Sequence, residues 1–236
     1  MPTPISTLIT EARRILREAS PRFWSDAELF DIAKKGIFDL WGAILDLNEE
    51  HFLVVDETNV TLPANATQLA GVPTDVFRVH LIEPKDLGSA SSARSLHFEP
   101  KDYNHPDFQV ARALGSLDPQ GRLIYYTLIK QGPPVGAPTI LVAPKINATV
   151  ALRLVYVPAL SIPDATANNP IPGESDHAIV AWIVAFARAK EREERAPDPE
   201  WLAVYATEKR NLLIRLKPRQ TQEPTVVDAV FEHLWL

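Results

Sequence analysis

The chain has 236 residues, of which 46% are hydrophobic and 23% charged, and this ordinary globular composition suits one large domain or one domain with an insertion. The absence of Cys excludes disulfides, thiolate metal sites and Cys nucleophiles, and a formal net charge of −6 is untypical of a general nucleic-acid binder. No leader pattern is recognisable and no apolar run approaches the roughly 20 residues that span a bilayer, so we expect a soluble protein, made in a cytoplasm, that does not bind membranes.

Two amphipathic helices are predicted at the start of the chain. Apolar residues recur at three- and four-residue steps over residues 5–16 and again over residues 29–45, which is the spacing of one helix face. A short connection that contains Pro21 separates the two segments. We therefore expect an antiparallel helical hairpin within residues 1–50.

The second helix has a clear start signal. Ser25 and Glu28 have the spacing of a capping box, in which each side chain binds a backbone N–H that the first turn leaves without a partner. Trp24 and Leu29 occupy the two positions of a hydrophobic staple, which fixes the direction in which the chain enters the helix. These four residues are the predicted cap and core motif.

The apolar period changes to that of β-strands between residues 51 and 160. Pro residues separate the apolar segments, and Pro is unable to donate to a β ladder, so it marks turns and edges. The predicted strands are residues 51–56, 59–62, 75–82, 122–129, 139–142 and 149–157. The last segment is mostly apolar on both faces, which is typical of a central strand. A short helix near residues 108–114 is a further candidate.

Helical periodicity returns at Ser175. Apolar residues follow at helical spacing up to Ala189, and a second helix is predicted from Asp198, because Asp followed by Pro199 is a typical cap and first residue. Pro218 ends that helix.

The predicted fold class is therefore α+β. Two N-terminal and two C-terminal helices would form an antiparallel four-helix core, in which the hairpin of residues 161–218 packs on residues 1–50. Residues 51–160 would form a β-rich insertion between the two hairpins. Residues 219–236 would extend beyond the core as a C-terminal arm.

No catalytic, metal or cofactor site is predicted. The chain has no G-x-S-x-G sequence, no phosphate-binding Gly-rich loop and no H-E-x-x-H sequence. His97, Asp102 and His105 are the closest polar set, but their spacing matches no recognised ligand pattern, and ordinary loop polarity explains them more simply. An enzyme is the least favoured class of protein.

A basic cluster lies on the last predicted helix and just beyond it. Its members are Lys209, Arg210, Arg215, Lys217 and Arg219. They could face DNA phosphates or an acidic partner surface. The favoured interpretation is simpler, because cations are enriched at helix C-termini, where they complement the helix dipole.

The C-terminal arm carries several large apolar residues close to the end of the chain. They are Val226, Val227, Val230, Phe231, Leu234 and Trp235. Full burial of each such side chain is worth roughly 1.5–3 kcal/mol, so they are unfavourable in water. The arm either folds back on its own domain or docks on another chain. Docking on another chain is favoured because the predicted helical core is complete without the arm.

Three segments together resemble a known family. They are Phe23–Leu29 (FWSDAEL), Val72–Val79 (VPTDVFRV), which follows Leu62 and Pro63, and Ile171–Val180 (IPGESDHAIV). In sequence and order they resemble the head-to-tail adaptor, or connector, proteins of tailed bacteriophages and related gene-transfer particles. The resemblance covers most of the chain.

The resemblance implies a non-enzymatic structural protein of the virion neck, assembled in the host cytoplasm. Such adaptors form a ring, usually twelve-fold, below the portal protein, and the ring extends the DNA channel and binds a downstream neck or tail protein. Double-stranded DNA would pass through without sequence-specific binding, and residues 226–236 would dock on the portal protein. Two alternatives stay open: another neck or tail-completion subunit, and a DNA-binding or regulatory module that uses the basic fourth helix.

Overall fold

The computed structural model describes residues 3–18, 23–85, 96–117, 123–129, 137–192 and 196–217. These residues form the helices α1 (Ile5–Ile15), α2 (Asp26–Leu47), α3 (Pro106–Ala113), α4 (Asp176–Glu191) and α5 (Pro199–Leu216). The strands are β1 (Val54–Asp56), β2 (Thr61–Leu62), β3 (Val76–Pro84), β4 (His97–Pro100), β5 (Leu123–Ile129), β6 (Thr139–Ala143) and β7 (Val150–Pro158). Single turns of 3₁₀ helix at Glu49–Phe52 and Gly173–Ser175 precede β1 and α4.

The chain divides into two compact units. The helical unit consists of Met1–Asn48 and Ile162–Leu236, and the β unit consists of Glu49–Ser161. Helix α3 and all seven strands belong to the β unit, whereas α1, α2, α4 and α5 belong to the helical unit.

Helix α4 is the central helix of the helical unit, because α1, α2 and α5 all pack against it. Its buried residues are Ala178, Ile179, Val180, Ala181, Ile183, Val184, Ala185, Ala187 and Ala189. At 100° per residue these positions lie on every side of the helix, and a helix that is apolar all round is buried by neighbours on several sides. The frequent Ala residues leave room for those neighbours to approach closely.

The predicted architecture, an antiparallel four-helix core with one β-rich insertion, is wrong, although the chain is α+β. One central helix organises the helical unit, and the described strands form two separate sheets. The short helix offered near residues 108–114 is present as α3. The spacing of apolar residues did not predict this arrangement of helices and sheets, because such spacing identifies the apolar face of an element and not the neighbours that bury that face. The predicted C-terminal arm, residues 219–236, lies outside the described residues.

Strand β7 is the centre of a four-stranded antiparallel sheet. Strands β1 and β3 both oppose Tyr156, so they lie on opposite edges of β7, and β2 pairs with its first residues, Val150 and Ala151. Leu152 and Leu154 of β7 are fully buried. The prediction of a central strand in residues 149–157 is confirmed.

The other sheet has three strands, with β5 between a parallel β4 and an antiparallel β6. Helix α3 begins with Pro106 and packs its fully buried Phe108 close to Ala143 of β6. Ile124 of β5 and Leu152 of β7 belong to the same apolar core, so the two sheets bury one continuous interior. Strand β4 was not predicted because it is short and ends at a Pro.

Candidate assembly surface

The start of α2 joins this helix to α4. Ser25 is the N-cap: its hydroxyl accepts a hydrogen bond from the Glu28 backbone N–H at 3.2 Å, and the Glu28 carboxylate accepts one from the Ser25 N–H at 2.9 Å. Trp24 and Leu29, on either side, are buried. The Trp24 indole N–H donates to the carbonyl of Ala187 in α4 at 3.1 Å.

Charged side chains complete this junction. Lys190 of α4 donates to the Glu28 carboxylate at 2.7 Å, and this bond, with those from the N-cap residue, lowers the pKa of Glu28 to about 2. The buried guanidinium of Arg13 in α1 donates to the Trp24 carbonyl at 2.9 Å and to Asp26 at 2.7 Å. Helices α1, α2 and α4 therefore meet in the FWSDAEL segment that carries the family resemblance.

A polar network lies at the start of α4, in the IPGESDH segment and just before it. The buried side-chain amide of Asn169 donates to the Ser175 hydroxyl at 3.0 Å and to the Asp176 carboxylate at 2.9 Å. The hydroxyl of Thr3 donates to the same carboxylate at 2.6 Å. The network thus ties the residues before α1 to the first turn of α4, so this segment also positions the helices.

A groove of about 640 Å³ runs along α5, with α2 and α4 contributing to its walls. We call it the α5 groove. Its apolar lining consists of Leu47, Trp182, Leu202, Tyr205, Ala206, Leu213 and Ile214. Ile214 is 63% exposed and Leu47 is 36% exposed, so the groove presents apolar surface to its surroundings. Contiguous exposed apolar surface is typical of interaction sites.

Aromatic rings form the floor of the α5 groove. Trp182 of α4 packs edge-to-face on Tyr205 of α5, with ring centroids 4.8 Å apart. The Trp182 indole N–H donates to the Ile32 carbonyl of α2 at 3.0 Å. Contacts with α2, α4 and α5 therefore fix the position of the floor.

A hydrogen-bonded cluster adjoins the floor, and only its Tyr205 is buried. The Tyr205 hydroxyl donates to the Asp39 carboxylate, and Lys209 donates to the same carboxylate at 2.6 Å. Burial raises the pKa of Asp39, but the hydrogen bonds from Lys209 and Tyr205 outweigh it and hold that pKa below its ordinary value. Burial, together with Asp39, raises the pKa of Tyr205 far above its ordinary value. Near neutral pH, the Asp39 carboxylate is therefore ionised and the Tyr205 hydroxyl is protonated, which are the forms that make this hydrogen bond.

The structure separates the residues of the predicted basic cluster. Lys209 pairs with α2 as described, and Arg215 contacts Glu174 at 3.2 Å. Arg210 and Lys217 line the α5 groove. Residues Arg219, Val226, Val227, Val230, Phe231, Leu234 and Trp235 lie outside the described residues.

The α5 groove was not predictable from sequence patterns, because its floor comes from three helices. One signal was present: Gly36 stands in the apolar stripe of α2, where Gly is unfavourable without a packing reason. A Cβ at Gly36 would lie 2.7 Å from Cδ1 of Trp182, so the helices approach too closely for any other residue.

Metal and membrane sites are not found in the described part of the chain. No group of three or more His, Asp or Glu side chains there is placed to bind a metal ion. His105 caps α3 by accepting from the Asp107 N–H at 3.2 Å, while His97 lies on β4. None of the described helices is long and apolar enough to cross a membrane.

The resembling segments form the helix junctions of an α+β protein that has an open apolar groove on its helical unit. The profile of the SU10 adaptor protein family matches residues 3–228. The chain therefore belongs to the SU10 adaptor protein family, a family of phage head-to-tail adaptors. The resemblance seen in the sequence is confirmed. No curated protein matches the chain.

Proposed function

We propose that this adaptor is a non-enzymatic subunit of the virion neck, assembled in the host cytoplasm, that connects the phage head to the tail. Copies form a ring, twelve-fold as in the family it resembles, below the portal protein. The ring extends the DNA channel, through which double-stranded DNA passes without sequence-specific binding, and a downstream neck or tail protein binds to it. The family match over residues 3–228 carries this proposal, because it spans both units.

Exposed apolar surface on each unit supports assembly. A closed ring needs two different patches, one of which meets the other on the next subunit. The helical unit offers the α5 groove. In the β unit, Val55 and Leu81 flank Val155 from neighbouring strands and are 45% and 42% exposed. Two distinct apolar surfaces suit a heterologous contact.

The C-terminal arm is the proposed contact with the portal protein. Its apolar residues, Val226 to Trp235, would be buried on docking, and that burial supplies the driving force. We infer that the subunit stays monomeric until it meets the assembled portal, since the arm then has a partner.

The DNA-binding alternative is less well supported. Lys209 and Arg215 are each paired with a carboxylate, which reduces the positive charge that they offer to phosphates. A net charge of −6 also opposes tight DNA binding.

Mixing the purified protein with its cognate portal protein tests the proposal. We expect rings on the portal in negative-stain images, with a matching mass, for the full-length chain. A chain that ends at Pro218 should form none. Phe231→Asp should also abolish the rings, because it places a charge in the apolar stripe of the arm, whereas His233→Asp, outside the stripe, should retain them.

A full-length chain that ignores the portal and stays monomeric would contradict the adaptor assignment. Rings that form at micromolar concentration without portal would contradict the proposed order of assembly. Binding to a different neck or tail protein instead would place the chain elsewhere in the neck.

A further inference from the structure

The α5 groove is suited to an apolar occupant. Its floor is aromatic, and Ile214 stands on its wall with most of its side chain exposed. Arg210 and Lys217 add positive charge to the lining, while Lys209 is paired with Asp39. A fitting occupant is therefore an amphipathic segment with an acidic edge.

The C-terminal arm has this pattern in its sequence. Its apolar residues are Val226, Val227, Val230, Phe231, Leu234 and Trp235, at the three- and four-residue steps of a helix face. Thr225 and Asp228 have the spacing of a capping box just before this stripe. Asp228 and Glu232 flank one side of the stripe, at about 200° and 240° when Val226 is placed at zero.

The length of the arm suits the groove of its own chain. Lys217 lines the groove, and the arm follows it directly in sequence. The α5 segment from Leu202 to Lys217 is about 22 Å long, and a helix over residues 226–235 would be about 14 Å long. The eight residues between them, 218–225, reach up to about 27 Å when extended. The arm is thus able to turn back along α5.

We propose that, in the free subunit, residues 226–235 bind as a helix in the α5 groove of the same chain. The acidic edge of the arm lies against Arg210 and Lys217. A short linker gives the arm an effective concentration near the millimolar range, far above that of a second copy in micromolar solution. This inference goes beyond the proposed function, because it concerns the subunit before any portal is present. Docking on the portal then requires the arm to leave the groove.

Hydrogen exchange of the full-length protein, without portal, tests the inference. We expect backbone amides of residues 226–235 to exchange about tenfold more slowly in the natural chain than in Ile214→Asp, given millimolar effective concentration and a weak contact. Val204→Asp is the matched control, because Val204 is also exposed on α5 but does not line the groove. A cooperative urea unfolding transition in each of the two variants would show that both fold.

A charge exchange tests the proposed orientation. Arg210→Glu combined with Lys217→Glu should reduce the protection of the arm severalfold. Adding Asp228→Lys and Glu232→Lys to that chain should restore it, since the attraction is then re-established with reversed signs. Failure of the second pair to restore protection would contradict the placement of the acidic edge.

Three results would overturn the inference. In the first, the backbone amides of the arm exchange as fast in the natural chain as in an unstructured peptide. In the second, these amides are protected from exchange equally well in Ile214→Asp. Protection that rises with protein concentration, together with a dimer mass, would place the arm in a second copy. The portal experiment is independent of these results, because it uses the natural chain with portal present. A natural chain that forms no rings on the portal would contradict the proposed function, whereas the protection of the arm is measured in the free subunit.

Discussion

Glu28 shows how one carboxylate connects several parts of the helical unit. It accepts hydrogen bonds from the Ser25 backbone and from Lys190 of α4, and these bonds lower its pKa from 4.5 to about 2. Because the pKa in the folded state lies below the ordinary value, the ionised group stabilises the fold above pH 4.5. That contribution is lost as the pH falls from 4.5 towards about 2.

We therefore expect Glu28→Gln to lower the stability of the helical unit near neutral pH and to have little effect close to pH 2. Urea unfolding followed by Trp fluorescence measures this, because all five Trp residues lie outside the β unit. Glu11→Gln, on α1 and outside this network, is the control. If the difference in the free energy of unfolding between the natural chain and Glu28→Gln stays constant with pH, the carboxylate does not act through its charge.

Among the helices, the close contact between α2 and α4 determines how the helical unit packs. Gly36 allows the Trp182 ring to lie directly on the α2 backbone, which brings the indole N–H to the Ile32 carbonyl. The same ring supports Tyr205 on α5. One missing side chain on α2 thus permits the floor of the α5 groove to form.

Gly36→Ala should destabilise the helical unit by about 1–3 kcal/mol, because its Cβ would clash with an aromatic ring that is held on several sides. Gly42→Ala on the same helix is the matched control. A Cβ there meets nothing within 4 Å, so the better helix propensity of Ala should stabilise the unit by about 0.5–1 kcal/mol. Urea unfolding of both variants measures whether each substitution raises or lowers the free energy of unfolding. Stabilisation by Gly36→Ala would mean that α2 and α4 are not in close contact in solution.

Charge is best considered at the scale of the whole molecule. In the proposed ring, a net charge of −6 on each subunit should repel DNA in the channel and oppose strong binding to the channel wall. The cations of α5 that are paired with Asp39 and Glu174 do not alter this balance.

We expect no saturable binding to double-stranded DNA at physiological salt and protein concentrations up to about 10 μM, as measured by fluorescence anisotropy. Replacing Lys209, Arg210 and Arg215 by Ala should change nothing. Salt-sensitive binding that is lost in this triple variant would instead support the DNA-binding alternative.

Much of the local structure was predictable, because its causes are local. The N-cap at Asp198, followed by Pro199, starts α5, and the apolar run around Leu152 identifies β7 as a central strand. The segment motifs also pointed to the adaptor family. Caps, periods and motifs need only neighbouring residues, so the amino-acid sequence by itself determined the helix starts, the central strand and the family.

The tertiary structure alone decided the arrangement of the elements. It made α4 the central helix, separated the strands into two sheets and brought Asp39, Trp182 and Tyr205 together at the α5 groove. An apolar stripe looks the same whichever neighbour buries it, and residues far apart in sequence leave no shared local pattern. The physical reason is that packing depends on the shapes of facing surfaces, which exist only once the chain has folded.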